Sequence, residues 1–321
     1  MDRLAIASLL MIVLHGPALA DDVLNYQGMC DASAAVAIDR SSFVVANDED
    51  NTLRIYDRDK PGRARTIAID AFLTPPDEDT SGKESDLEGA ARIGNRIYWI
   101  SSHGRNSEGK KRPKRHRLFA TDIVTKGGAP DLITVGTPYT ELVTALTQPA
   151  LASLGLKDAA KLAPEENGLN IEGLAATPDG RLLIGLRSPV LAKGAIVVPL
   201  DNPAEVIEGR PPRLGQPILL PLDGRGIRSM DYVASRKGYL IVAGPPGPEG
   251  AFALYRWSGT AGEAPETLRD LAGHPEALFL YPDDPDTLHL LSDDGDEPVG
   301  GKPCKKAAAS RQSFRAYAVK P

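Results

Sequence analysis

The chain has 321 residues, of which 42% are hydrophobic and 25% charged, an ordinary globular composition that excludes a disordered or fibrous protein. Its formal net charge of −6 provides no general positive field, so nucleic acid is not an expected partner. No apolar stretch reaches the roughly 20 residues of a membrane span.

Residues 1–20, MDRLAIASLLMIVLHGPALA, carry Arg3, an apolar run over 4–14, and the small-x-small pattern Ala18-Leu19-Ala20. This reads as a secretory signal cut after Ala20. Residues 21–321 are then expected as a single exported domain, periplasmic or secreted and monomeric. The two cysteines, Cys30 and Cys304, stand near the ends of that segment, and an oxidising compartment would allow them to pair. Such a bridge would be worth about 4 to 5 kcal/mol by chain entropy; two free thiols are the alternative.

In chain order, VLNYQG (23–28) is one β-rich run, and DASAAVAIDRSSFVVANDED (31–50) begins a series of repeats. TLRIYDR and RTIAIDA follow it, then SDLEGAARIGNRIYWISSHGRNS (85–107) with RLFATDI and DLITVG. Residues 140–166 break the pattern: Leu142, Leu146, Leu151, Leu154 and Leu162, interrupted at Pro149, predict short helices. The pattern resumes with LNIEGLAATPDGRLLIGLR (169–187), AIVVPLD and PILLPLD, then MDYVASRKGYLIVAG (230–244), FALYRWS and ETLRDL, and finally PEALFLYPDDPDTLHLLSDDG (275–295) and SFRAYAV.

The runs are short, rich in Val, Ile, Leu and Tyr, and bounded by Gly, Pro, Asp and Asn, as strands are. Four strands about every 50 residues is the arithmetic of a β-propeller. The fold expected is all-β: a five-bladed propeller of four-stranded blades with a helical insertion over 140–166. A two-sheet sandwich and a sixth, degenerate blade are the alternatives. The last repeat lacks one strand, which VLNYQG can supply, closing the ring and placing Cys30 and Cys304 at one end of the disc.

Aligned on their opening position, the five repeats begin at Ser33, Glu88, Glu172, Asp231 and Glu276. As starts of inner strands, these would ring one mouth of the central channel. Asn47, Asp48, Ser102, His103, Arg187, Arg228, Asp293 and Asp294 should reach the same face, along with the acidic loops DEDN and DDGDE and the basic loop KKRPKRHR (110–117). Grouped carboxylates without thiolate suit Ca²⁺, which takes roughly 6 to 8 oxygens. Glu88, Glu172, Asp231 and Glu276 are the metal ligands expected, with His103, Arg187 and Arg228 contacting substrate. An ion so held could polarise a phosphate ester toward water. Paired carboxylates acting on a glycosidic bond are a weaker reading, because aromatic residues make up only 5% of the chain. The alternative role for the acids is as ties between blades, and for the basic run as a solvated loop. Nucleophile-elbow, zinc-protease, P-loop and dinucleotide motifs are absent.

SDLEGAARIGNRIYWISSHGRNSEGKKRPKRHRLFA, LNIEGLAATPDGRLLIGLRSP and HPEALFLYPDD resemble an uncharacterised bacterial family of secreted propellers, a domain of unknown function. That resemblance implies the fold and no established activity. The acid-glycine pairs at strand starts are more distantly similar to phytase-like and esterase-like propellers and to calcium-dependent apyrases, which implies calcium and phosphoester hydrolysis. Asp231-Tyr232 and Glu276-Ala277 depart from the pair. Two functions are therefore expected: a calcium-assisted hydrolase of a phosphorylated small molecule, or a non-catalytic scaffold whose charged rim docks a protein or other anionic partner.

Overall fold

The computed structural model describes residues 23–75 and 83–321; the signal segment expected over 1–20 lies outside them. Twenty strands form five four-stranded antiparallel sheets. Blade 1 runs through Ala34–Ala37, Ser42–Ala46, Thr52–Asp57 and Arg65–Ala68, and blade 2 through Leu87–Ile93, Arg96–Ser101, Leu118–Lys126 and Ala129–Tyr139. Blade 3 comprises Asn170–Ala176, Leu182–Ser188, Ala195–Leu200 and Ile218–Leu220, and blade 4 comprises Gly226–Val233, Gly238–Gly244, Phe252–Trp257 and Glu266–Leu271. The first strand of each adjoins the first strands of its two neighbours, so the five inner strands close a ring around a channel.

Blade 5 is assembled from both ends of the described chain. Pro275–Tyr281, Asp284–Ser292 and Ser313–Val319 take Val23–Gln27 as their fourth strand, in antiparallel register from Val23 opposite Tyr317 to Gln27 opposite Ser313. This pairing covers a sheet edge that would otherwise be open. The disulfide expected between Cys30 and Cys304 is present, spanning 274 residues with Cα atoms 5.9 Å apart.

Five apolar clusters hold the ring, one at each junction between neighbouring blades. Alternation explains them, because successive residues of a strand face opposite sides of a sheet and so serve two neighbours. The closing seam between blades 5 and 1 concentrates the scarce aromatics: Tyr26, Phe43, Tyr56, Phe279, Tyr281 and Phe314 are all at most 2% exposed. Each such ring contributes roughly 1.5 to 3 kcal/mol of burial. The insertion forms short helical turns over Leu142–Leu146, Pro149–Leu154, Leu156–Ala159 and Pro164–Glu166. Leu142, Leu146, Leu151 and Leu154 join the cluster between blades 2 and 3, whereas Leu162 is 40% exposed. No helix among the described residues is long and apolar enough to cross a membrane.

Candidate functional site at the channel mouth

Inner and second strands lose register at the same place in four blades. Leu87 faces Ser101 and Gly89 faces Ile100, leaving Glu88 as an extra residue. Glu172 between Ile171 and Gly173, Arg228 between Ile227 and Ser229, and Glu276 between Pro275 and Ala277 are extra in the same way. Such bulges bend the strand and re-aim a side chain. Ser33, just before the inner strand of blade 1, instead ties two blades: its hydroxyl donates to Leu87 O at 2.5 Å.

This register corrects the alignment of blade 4. The inner strand begins at Gly226, not at Asp231, so Arg228 holds the position expected for an acid. Asp231 lies three residues further along, and among the described residues its neighbours in the channel are those of the opposite opening. The acid-glycine pair also divides into two roles. The acid is the bulge residue, whereas the glycine makes room: a Cβ on Gly89 would lie 2.8 Å from Ile100 Cγ2, and one on Gly173 would lie 2.6 Å from Ile227 Cγ2. Ser229 and Ala277 are the small residues at the matching positions.

One side of the mouth is balanced. Arg228 Nη1 lies 2.6 Å from Glu276 Oε1 and 3.1 Å from Glu172 Oε2, while Arg187 Nη1 lies 2.9 Å from Glu172 Oε1. Asn170 Nδ2 also donates to Glu172 Oε1, at 3.2 Å. Arg187 is the more accessible of the two cations, with a side chain 18% exposed against 5% for Arg228. Burial and Asp293 push the Glu276 carboxyl up to about 8 despite its arginine partner.

The other side is not balanced. Carboxylate oxygens of Asp48, Asp86 and Glu88 lie within 4.8 Å of one another. Burial, with repulsion from Asp31, Asp293, Asp86 and Glu276, holds the Asp48 carboxyl well above the usual range. The same combination acts on Glu88, whose repelling neighbours are Glu172, Asp86, Asp48 and Glu276. Burial raises Asp86 to about 6, a rise limited by Arg115 at 3.1 Å. Asp86 is held at a left-handed φ of 56°, a conformation costly for a residue with a side chain. Asp31 sits beside Asp293 and is raised to about 9 by burial and by that partner. Its carboxylate fills the place of a side chain at residue 295, where a Cβ would lie 1.6 Å from Asp31 Oδ1. Asp48 Oδ1 is sealed from solvent and has no hydrogen-bond partner among the described residues.

His103, Asp294 and the inward half of the basic loop make structural contacts. His103 is 3% exposed, its Nδ1 lies 2.7 Å from Ser101 O, and burial together with His116 lowers it to about 3. Asp294 is held by Arg315 at 2.5 Å. In the basic loop, Lys114 is buried against Asp70 at 3.0 Å, Arg117 is fully buried on the carbonyls of Leu73, Pro113 and His116, and Arg115 reaches Glu84 at 2.6 Å. Asp86 and Asp31 join the site without standing at any repeat's opening position. The D-x-E spacing of Asp86 and Glu88 is the sequence signal for the first; Asp31 has none beyond its place after Cys30.

No curated protein matches the chain. The fold is similar to the PQQ-bound aldose sugar dehydrogenase of Streptomyces coelicolor, at 12% identity over 95% of this chain and 100% of that one, TM-score 0.43. It is also similar to a putative oxidoreductase (glucose dehydrogenase) of Thermus thermophilus, at 15% identity over 94% and 100%, TM-score 0.44, and to the glutaminyl cyclase of Myxococcus xanthus, at 10% identity over 92% and 95%, TM-score 0.43. Likeness at this level does not bear on chemistry. A family model does match, over residues 31–125 and 132–279, the stretch that carries the bulges and four of the five inner strands complete. The chain belongs to the DUF3616 family of proteins of unknown function.

Proposed function

We propose that the unbalanced side of the mouth binds a hard divalent cation of the calcium class through Asp48, Asp86 and Glu88, and that the protein is a cation-assisted hydrolase of a phosphorylated small molecule. The observation that carries this reading is the meeting of three carboxylates within 4.8 Å that make one ion pair among the described residues, Asp86 with Arg115. The donor set is all oxygen, which suits calcium better than softer metals. The orphaned Asp48 Oδ1 fits the same need. When bound, such an ion supplies neutralising charge and Lewis acidity toward a phosphoryl oxygen.

The chain's own residues would do the rest. Asp86 is fixed in direction by Arg115 and by its backbone, since Ser102 N donates to Asp86 O at 2.8 Å. Arg187, the more accessible cation of the balanced side, would contact a phosphate, and Arg228 pairs with Glu172 and Glu276. His103 has no role in this scheme. Lys114, Arg115 and Arg117 of the basic loop turn inward, which leaves Lys110, Lys111 and Arg112 to the scaffold reading.

Calcium titration by calorimetry tests the site. The wild type should bind, and Asp48→Asn with Glu88→Gln should abolish binding while leaving the circular dichroism unchanged. A folded wild type that binds no calcium overturns the reading. Binding would be followed by a calcium-dependent phosphoester screen, in which absence of turnover would reduce the proposal to cation binding alone.

A further inference from the structure

The opposite opening of the channel holds a cavity of about 280 Å³ that the cation scheme does not use. Its walls come from inner strands of four blades and include Ala35, Ala37, Ala90 and Leu280, with Asp231 and Arg92 as its charged residues. The two are not partners. Arg92 donates through Nε to Gly94 O at 2.7 Å and through Nη1 to Ala37 O at 2.8 Å and Ile38 O at 2.6 Å. Asp231 accepts one bond, from the N–H of its neighbour Tyr232 to Oδ1 at 2.8 Å. No cationic side chain among the described residues pairs with it, and burial lifts its carboxyl to about 7 against the bond from Tyr232. A carboxylate without an ion-pair partner in this cavity, whose lining is part polar and part apolar, is costly, and a cation with an apolar body would relieve that cost.

We propose that this opening binds an organic cation, an ammonium group on an apolar body, with the Asp231 carboxylate as its counter-ion. The ammonium would make a charge-assisted hydrogen bond to Asp231, and the body would rest on Ala35, Ala37, Ala90 and Leu280. A metal ion fits poorly, since one carboxylate falls far short of the roughly 6 to 8 oxygens that calcium takes. An anion is repelled by Asp231, and Arg92 has already committed Nε and Nη1 to carbonyls. The volume is at the small end for ligand pockets, which selects a small body. This site is independent of the calcium reading and stands or falls separately.

The test is calorimetric titration of the purified protein with benzylammonium, benzyl alcohol and benzoate, which share a body and differ in charge. Benzylammonium should bind about tenfold more tightly than benzyl alcohol, benzoate should not bind, and Asp231→Asn should erase the preference while leaving calcium binding unchanged. Equal affinity for the amine and the alcohol, an unchanged preference in Asp231→Asn, or no binding of benzylammonium would each overturn the proposal. If Asp231→Asn does not fold, the wild-type ranking of the three probes decides alone.

Discussion

The two sides of the channel mouth treat their acids in opposite ways. Glu172 and Glu276 have two arginines between them, so each is ion-paired within the chain. Asp31, Asp48, Asp86, Glu88 and Asp293 make one ion pair among the described residues, Asp86 with Arg115, with Lys305 near Asp31 at the rim and Arg187 within electrostatic reach of Glu88. The difference teaches that a carboxylate's residue type says little about its role. What decides is whether the fold has supplied its counter-charge or left the charge to be met from outside.

The disulfide secures the unbalanced side, since Cys30 precedes Asp31 and Asp294 N donates to Cys30 O at 3.0 Å. Replacing both cysteines by serine should give the largest effect, a loss of about 5 kcal/mol of stability by chain entropy, read from urea unfolding. Next comes Arg228→Met on the balanced side. It leaves Glu172 and Glu276 facing each other without their shared partner, and should cost about 3 to 5 kcal/mol. A cost near zero would break the comparison, because the pairing would then be incidental.

Conservative swaps sharpen it. In the presence of a chelator, Glu172→Gln removes half the counter-charge of two arginines and should cost about 2 kcal/mol, whereas Asp48→Asn removes a repelled acid and should change stability by less than about 0.5 kcal/mol. Calcium should reverse the order, with Asp48→Asn losing at least about tenfold in affinity and Glu172→Gln losing little, both read by calorimetry.

A further effect is that of pH. Acids whose folded pKa lies above the unfolded value bind protons more tightly when folded, so the stability they confer is full below about pH 4 and is lost as pH rises through the folded values. Those are about 6 for Asp86, about 8 for Glu276 and about 9 for Asp31. The urea midpoint of the chelated protein should therefore fall between pH 5 and 9, with saturating calcium flattening the fall. A midpoint that rises with pH under chelator would count against the charge imbalance.

The ring was legible because its signals are repetitive. Strand alternation, the interval between repeats, the missing strand supplied by VLNYQG, the two cysteines and the leucine-rich insertion are all periodic or countable features, and the structure has each of them. The mouth was legible only in part. Glu88, Glu172 and Glu276 do head inner strands, but in blade 4 the pair Arg228-Ser229 stands where an acid and a glycine stand elsewhere. A one-residue bulge leaves no periodic mark, and a local shift of register changes which side chain faces where. Which acids would find an arginine depends on contacts between blades, such as Arg228 with Glu276 across 48 residues, and no local pattern records those.

The bulges have one more consequence. A residue outside the ladder can be exchanged without re-registering its strand, and the four bulges already hold Glu, Glu, Arg and Glu. The hydrogen-bonded scaffold and the charge pattern at its opening are thus separately adjustable: one blade's contribution can change sign while the sheet beneath it keeps its pairing. A related ring could convert this opening from cation-seeking to anion-seeking through a handful of substitutions, none of them in a residue that the ladder needs.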